Sequence, residues 1–312
     1  MKPPVFIGGP TASGKSEIAL ALAERIGGEI ISVDSMQVYR GLDIGTAKPG
    51  AAERQRIPHH LIDVAELGEF FDAAKFVRLA EKAVADIQSR GQTPIFCGGT
   101  GLYFQAYLSG LGEAPPADTA LRAELETMPF EDLLRELRER DPVAYEKIDK
   151  LNPRRVIRAV EVIRLTGKKF SEQRADWKTQ KTGLDGVSSH SLHCFTREAA
   201  DLHDRISMRV DEMFRRGLVR ETRELLKHGL EQNKTAMQAI GYRQVAEHLR
   251  GERELPETIE LVKIRTRQFA KRQLTWFRRY GNCRWIKLGP DNKVEKTVEM
   301  LIHDFSRPIG IP

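Results

Sequence analysis

Three short apolar runs, each followed by a polar or glycine-rich turn, mark the first third of the chain. Val5-Phe6-Ile7, Glu29-Ile30-Ile31-Ser32-Val33 and Pro94-Ile95-Phe96-Cys97 have the length and make-up of buried strands. Between and after them the apolar period lengthens. Glu17 to Ile26 has helical character, and Phe71 to Arg90 sets Phe76, Leu79, Ala80, Ala83, Val84 and Ile87 at helical spacing before Gly91 ends it. Leu102 to about Leu108 predicts another helix. Alternating strand and helix predicts an α/β core with a parallel sheet. From Leu121 to Thr166 the period is helical throughout, with Leu133, Leu134, Leu137, Ala144, Tyr145, Ile148, Val156, Ile157, Val160 and Ile163. No strand pattern interrupts it, so a helical insertion is expected. It is entered through the Gly- and Pro-containing stretch Leu111 to Thr119 and left through a polar linker, Gly167 to Ser189. Ser191 to Thr196 reads as a further strand. Helices at about 199–228, 235–250 and 256–280 follow, and Trp285 to Leu288 reads as a closing strand. The expected division is a core at 1–112, a helical insertion at 113–189, and core completion with a helical part at 190–312.

Composition narrows the class. The 312 residues are 40% hydrophobic, and mean hydropathy is −0.43, as for a globular chain that dissolves in water. No apolar run approaches the about 20 residues of a membrane span. The chain enters its first strand without a basic and apolar leader, so no export and no membrane are expected. Cys97, Cys194 and Cys283 are odd in number and far apart in sequence, which suits a reducing, cytoplasmic setting. Charge is unevenly placed. Residues 1–112 hold 11 Lys/Arg against 12 Asp/Glu, and the rest of the chain 39 against 32. Lys263 to Lys287 holds nine basic residues and no acidic one, interleaved with Phe269, Trp276, Phe277, Tyr280 and Trp285. Such a run reads either as a nucleic-acid face or as a solvated helix face.

The first turn carries the sharpest chemistry. Gly9-Pro10-Thr11-Ala12-Ser13-Gly14-Lys15-Ser16 fills every fixed position of G-x-x-x-x-G-K-[ST], between a strand and a helix. Glycines let successive backbone N–H groups curl around an anion, and the helix adds its positive end. Lys15 would reach the outer phosphate, and the Ser16 hydroxyl is a natural Mg²⁺ ligand. Asp34 follows the second strand, where open α/β sheets place ligands. It reads as a helix cap, as an acid ordering Mg²⁺, or as a general base. Gly98-Gly99-Thr100-Gly101 is a second strand-to-helix turn that would offer the Thr100 hydroxyl to the same ligand. His59 and His60 lack a third ligand at usable spacing for a metal. Arg154 and Arg158 share a helix face, as do Arg205 and Arg209, while Lys271, Thr275 and Arg278 share another, with Leu274 and Phe277 inward.

The chain resembles the tRNA dimethylallyltransferases, or isopentenyl-diphosphate:tRNA transferases. The resemblance rests on GPTASGKS at 9–16, ISVDSMQVYRGLDIGTAKP at 31–49, PHHLID at 58–63, GGTGLY at 98–103, NPRRVIRAVEV at 152–162, QAIGYR at 238–243 and KRQLTWFR at 271–278. It implies a P-loop nucleoside-triphosphate-hydrolase-like core with a helical insertion. It also implies Mg²⁺ as cofactor, and transfer of a dimethylallyl group from its diphosphate to the exocyclic amine of adenosine 37 in the tRNA anticodon loop. Gly9, Pro10, Thr11, Ala12, Ser13, Gly14, Lys15 and Ser16 would then hold the diphosphate, with Ser16 on Mg²⁺. Asp34 resembles the base, and Thr100 and Arg205 resemble partners of the leaving diphosphate. The implied tRNA contacts are Asp34, Ser35, Met36, Gln37, Arg122, Arg154, Arg155, Arg158, Ala239, Ile240, Gly241, Tyr242, Arg243, Lys271, Arg272, Gln273, Thr275, Trp276 and Arg278. The C-terminal zinc finger of eukaryotic members is lacking, so the shorter bacterial type is expected, acting as a monomer. Two rivals remain at this point: an ATP-dependent P-loop kinase of a small molecule or nucleoside, and a noncatalytic RNA-binding protein.

Overall fold

The computed structural model describes residues 1–173, 192–280 and 283–306. The expected linker therefore lies outside the described residues from 174 onward, as does Ser191. Six strands, β1 (Val5–Gly8), β2 (Gly28–Val33), β3 (His59–His60), β4 (Thr93–Gly98), β5 (Leu192–Arg197) and β6 (Cys283–Leu288), form one sheet. Their order is β3-β2-β4-β1-β5-β6, and every pairing is parallel. β1, β2 and β4 are buried along their whole length, which is why they read as unbroken apolar runs. The register sets Ile7 beside Cys97 and Ser32 beside Cys97, so the three strands end level with one another.

The helices are, in chain order, α1 (Lys15–Ile26), α2 (Ala51–Arg56), α3 (Ala73–Ser89), α4 (Gly101–Ser109), α5 (Thr119–Thr127), α6 (Phe130–Arg140), α7 (Pro142–Lys147), α8 (Pro153–Thr166), α9 (Phe170–Gln173), α10 (Ala199–Arg215), α11 (Leu218–Lys227), α12 (Tyr242–Leu249), α13 (Leu255–Arg279) and α14 (Val294–Ser306). Two compact units result: the described residues of Met1–Phe104 and Val187–Pro312, and those of Gln105–Gly186. The break falls inside α4, ahead of the Gly- and Pro-containing stretch.

In the first unit, Val5, Ile7, Ile30 and Ile95 pack with Ile18 and Leu22 of α1 and Val298 and Leu301 of α14. On the opposite face Phe6 stacks on Phe96, with ring centroids 4.9 Å apart. The second unit is helical in its described residues. It closes over Leu133, Leu137, Val156, Val160 and Ile163, positions that carried the helical period, together with Leu125. Asn152 caps α8 by accepting from the Arg155 N–H, and Gly167 ends it in the left-handed region at φ 69°.

The single helix expected at 199–228 is two. Gly217, at φ 101°, separates α10 from α11, because a left-handed residue cannot continue the helix. Gly241, also at φ 101°, likewise restricts the 235–250 helix to α12. α2, β3, α9 and α14 are additions to the sequence reading, α9 falling within the stretch expected as a polar linker. No described helix is long and apolar enough to cross a membrane.

Candidate active site

The carboxyl ends of β1, β4 and β2 lie side by side, and each opens into a turn. After β1, Gly9 (φ 141°) and Gly14 (φ 96°) take backbone conformations that side chains resist, and a Cβ on Gly9 would sit 2.5 Å from the Phe195 carbonyl oxygen. Ala12 also has positive φ, 62°, unusual for a residue with a Cβ. It is held there because its methyl packs among Leu202, Ile206, Val210, Val262 and Ala270. Three cations donate to carbonyls of this loop: Lys15 Nζ to Pro10 (3.1 Å), Arg197 Nε to Ser13 (2.9 Å) and Arg205 Nε to Ala12 (3.1 Å). The first N–H groups of α1 have no acceptor in their own helix, and Ser13 Oγ is buried without a hydrogen-bond partner. A cationic loop with donors in reserve suits an anion with several oxygens.

The charges feel one another. Desolvation holds the Lys15 ammonium below its ordinary range; Cys97 and Asp34 oppose this and Arg209 adds to it. Arg209 is likewise lowered by desolvation, with Arg205 adding and Asp34 opposing. One carboxylate thus faces a group of cations from α1 and α10. Cys97, at the end of β4, has its thiol pushed up to about 11, chiefly by burial. It remains a neutral thiol at neutral pH.

Asp34 and Thr100 are joined through the backbone. Asp34 Oδ1 accepts from the N–H groups of Met36 (2.8 Å) and Gln37 (3.3 Å), while the Ser35 N–H donates to Thr100 Oγ1 (3.1 Å). One Asp34 oxygen therefore fixes the turn, and Oδ2 has no hydrogen bond among the described residues. No helix directly follows Asp34, so Oδ1 closes a turn rather than capping a helix.

The loop beyond is fixed by charge. Lys48 Nζ donates to the Tyr39 carbonyl (2.8 Å), Asp43 (2.6 Å) and Asp63 (2.6 Å), and Arg54 donates to the other Asp63 oxygen (2.8 Å). Burial alone would raise the Asp63 pKa; hydrogen bonds from Lys48 and Arg54 outweigh it and hold the carboxyl below its ordinary range. His59 Nδ1 bonds the Ile57 carbonyl and His60 Nε2 bonds Glu29, so both rings have structural partners.

The residues expected to touch RNA separate into three groups. On α13, Lys271, Arg272, Thr275 and Arg278 are exposed; the three cations have no acidic partner among the described residues. Trp276 stacks on Tyr280, and a Cβ on Gly101 would lie 2.1 Å from its indole ring. In the second unit, Arg154 and Arg155 are exposed, whereas Arg122 and Arg158 both pair with the fully buried Glu161 (2.6 and 2.8 Å). Gln273, Ala239, Gly241 and Tyr242 lie inside rather than at the surface expected of RNA contacts. Gln273 is buried: its Oε1 accepts from the Thr11 N–H and its Nε2 donates to the Gly99 carbonyl, both at 2.9 Å. Ala239 and Tyr242 are buried as well. The Tyr242 hydroxyl donates to Glu221 (2.6 Å) and accepts from the Gly45 N–H (3.0 Å), so this segment holds the 43–46 loop and exposes Arg243.

Ser16 and Thr100 bring hydroxyl oxygens to the turns around a cationic loop, and the neighbouring thiol is protonated. This chemistry fits Mg²⁺ with a diphosphate rather than a soft metal. Sequence reasoning missed Arg197 and left Arg209 without a role. Arg197 had no motif to announce it; Arg209 had only its spacing from Arg205. A shallow hollow of about 330 Å³, lined by Glu24, Gly28, Glu29, Pro58, Arg90 and Gln92, lies at the opposite, amino-terminal end of the strands.

Comparison with known proteins gives one family. The IPP transferase family model matches residues 37–280. The chain is 40% identical over 307 residues to a tRNA dimethylallyltransferase of Thermotoga neapolitana, covering 96% of this chain and 98% of that one. It is 44% identical over 311 residues to that of Geobacter metallireducens, covering 96% and 97%. Among solved structures it resembles the tRNA isopentenylpyrophosphate transferase of Bacillus halodurans, with TM-score 0.69 and 40% identity over 97% of this chain and 95% of that one. It also resembles a eukaryotic dimethylallyltransferase described as acting on tRNA, with TM-score 0.82 and 29% identity over 100% and 81%.

Proposed function

The chain belongs to the IPP transferase family, and from that premise we propose that it transfers a dimethylallyl group from dimethylallyl diphosphate to the exocyclic amine of adenosine 37 in tRNA. The observation that carries this reading is the junction of Asp34 and Thr100 beside the loop that holds Lys15. It sets a carboxylate oxygen without a partner next to a cradle for an anion.

In the proposed step the amine nitrogen bonds to C1 of the dimethylallyl group as the C1–O bond breaks. The bonding pair leaves with the diphosphate, and the amine proton passes to Asp34 Oδ2. Lys15, Arg205, Arg209 and the first N–H groups of α1 stabilise the charge that grows on the leaving oxygen. Ser16 would hold Mg²⁺, which when bound supplies further charge neutralisation to the diphosphate. Thr100 keeps the Asp34 turn in register and offers its hydroxyl to the same anion. The target base must leave its stack to reach this end of the sheet, and the exposed cations of α13 suit the phosphates on either side of it.

The test incubates the protein with radiolabelled dimethylallyl diphosphate, Mg²⁺ and unmodified tRNA, with labelled ATP in a parallel reaction. Label in the tRNA from the prenyl donor is the expected result. Transfer of the ATP γ-phosphate with no prenyl transfer would overturn the reading.

A further inference from the structure

We propose that Gln273 is a positioning residue that couples RNA binding on α13 to the geometry of the diphosphate loop. The proposal rests on the reading of α13 as the RNA face. Gln273 is 7% exposed, and a carboxamide inside a protein must find partners for both its ends. Its partners are the backbones of two different turns: the Thr11 N–H of the first and the Gly99 carbonyl of the second. Thr11 stands in the loop whose N–H groups face the ligand, so its direction is set by a side chain 262 positions later in sequence.

The rest of this helix segment grips the same place. Cβ atoms on Gly8, Gly99 and Gly101 would fall 2.7, 2.1 and 2.1 Å from Phe277, Gln273 and Trp276 respectively. The segment is thus wedged against the ends of β1 and β4, while Lys271, Arg272, Thr275 and Arg278 on the same two turns face solvent. A displacement or stiffening of α13 by bound RNA has a direct covalent and hydrogen-bonded route to both turns. Two sites whose geometries share one rigid element have coupled affinities, commonly by 5- to 150-fold, about the range expected here.

The experiment measures binding of the unreactive thiolo analogue of dimethylallyl diphosphate to the full chain, with and without unmodified tRNA. Binding of tRNA and its salt dependence are followed separately. In the wild type, tRNA is expected to tighten analogue binding about tenfold. In Gln273→Met, which keeps the length but neither hydrogen bond, that enhancement is expected to vanish while tRNA affinity and its salt slope stay unchanged. Gln273→Glu supplies the rescue: a protonated carboxyl can still donate to Gly99 and accept from Thr11, so enhancement returns as pH falls and is lost as it rises. Enhancement that survives in Gln273→Met, or is absent from the wild type, overturns the coupling. Equal loss of both affinities with a lowered melting temperature overturns it too, because that marks a merely structural role. A wild-type protein that binds no tRNA removes the premise instead, and is recognised by the tRNA measurement alone.

Discussion

The two glycine-rich turns, 9–14 and 98–101, follow neighbouring strands and look alike in sequence, yet their glycines are needed for different reasons. In the first, Gly9 and Gly14 lie at positive φ, and Gly14 has room for a Cβ, its nearest neighbour being an Arg197 nitrogen at 3.4 Å. The demand there is first on backbone conformation, which suits N–H groups turned toward an anion, although Gly9 also lacks room beside the Phe195 carbonyl. In the second, Gly98, Gly99 and Gly101 have no positive φ. What they lack is space, since Cβ atoms would collide with the Val33 carbonyl, Gln273 and Trp276. One turn is shaped for a ligand, and the other for its protein neighbours. A glycine motif by itself does not distinguish these uses.

The largest expected effect lies where both turns meet Asp34. Asp34→Asn keeps an oxygen to accept from the Met36 N–H but cannot take a proton. Transfer should fall at least about 100-fold, with the melting temperature unchanged. Comparable activity in the variant would show that the carboxylate only caps its turn.

Next come the glycines themselves. Gly98→Ala forces a Cβ to 2.1 Å from the Val33 oxygen, a backbone atom that cannot step aside. It should lower unfolding free energy by about 3 kcal/mol. Gly14→Ala meets only conformational strain, about 1–2 kcal/mol, and should weaken donor binding more than its stability loss explains. Urea titrations and donor-binding curves on the two variants check this. The comparison breaks if Gly98→Ala is the milder of the two for stability.

The smallest effect falls outside both turns, in the loop held by Lys48. Asp63 has its folded-state pKa lowered, so its charge contributes stability above the ordinary carboxylate range and loses it as pH falls through that range. Asp63→Asn should cost about 0.5–1 kcal/mol at pH 7, because the carboxyl is only partly buried and solvent screens its pairs. The gap should shrink on acidification below about pH 4, as urea titrations at pH 7 and pH 3 would show. A gap independent of pH would mean that shape rather than charge fixes this loop.

Much of the core was legible before any coordinates. The apolar runs at 5–7, 29–33 and 94–97 are strands because they are buried on both faces and so carry no alternation. The phosphate loop was plain because its function constrains consecutive residues. Gly217 is less legible, because a glycine inside a helical period breaks the helix only where its φ turns positive. β3 is two residues long and α14 was not read as an element, so neither gave a strong period. Cys194 and Cys283 looked isolated, yet β5 and β6 pair in parallel and bring their sulfurs to 2.9 Å as free thiols.

Sequence alone determined most of the strands and helices, the place of the phosphate-loop pattern, and which family the motifs resemble. All of these depend on residues close together in the chain. Only the tertiary structure decided that Gln273 turns inward while Lys271 and Arg278 turn outward, that Arg197 and Arg205 take the carbonyls of the phosphate loop, and that Asp34 keeps one oxygen free. Helical period shows that α13 has faces, but packing decides what each face meets. The first turn therefore carries its purpose in its own residues, whereas the second acquires it from a helix that arrives more than 170 residues later.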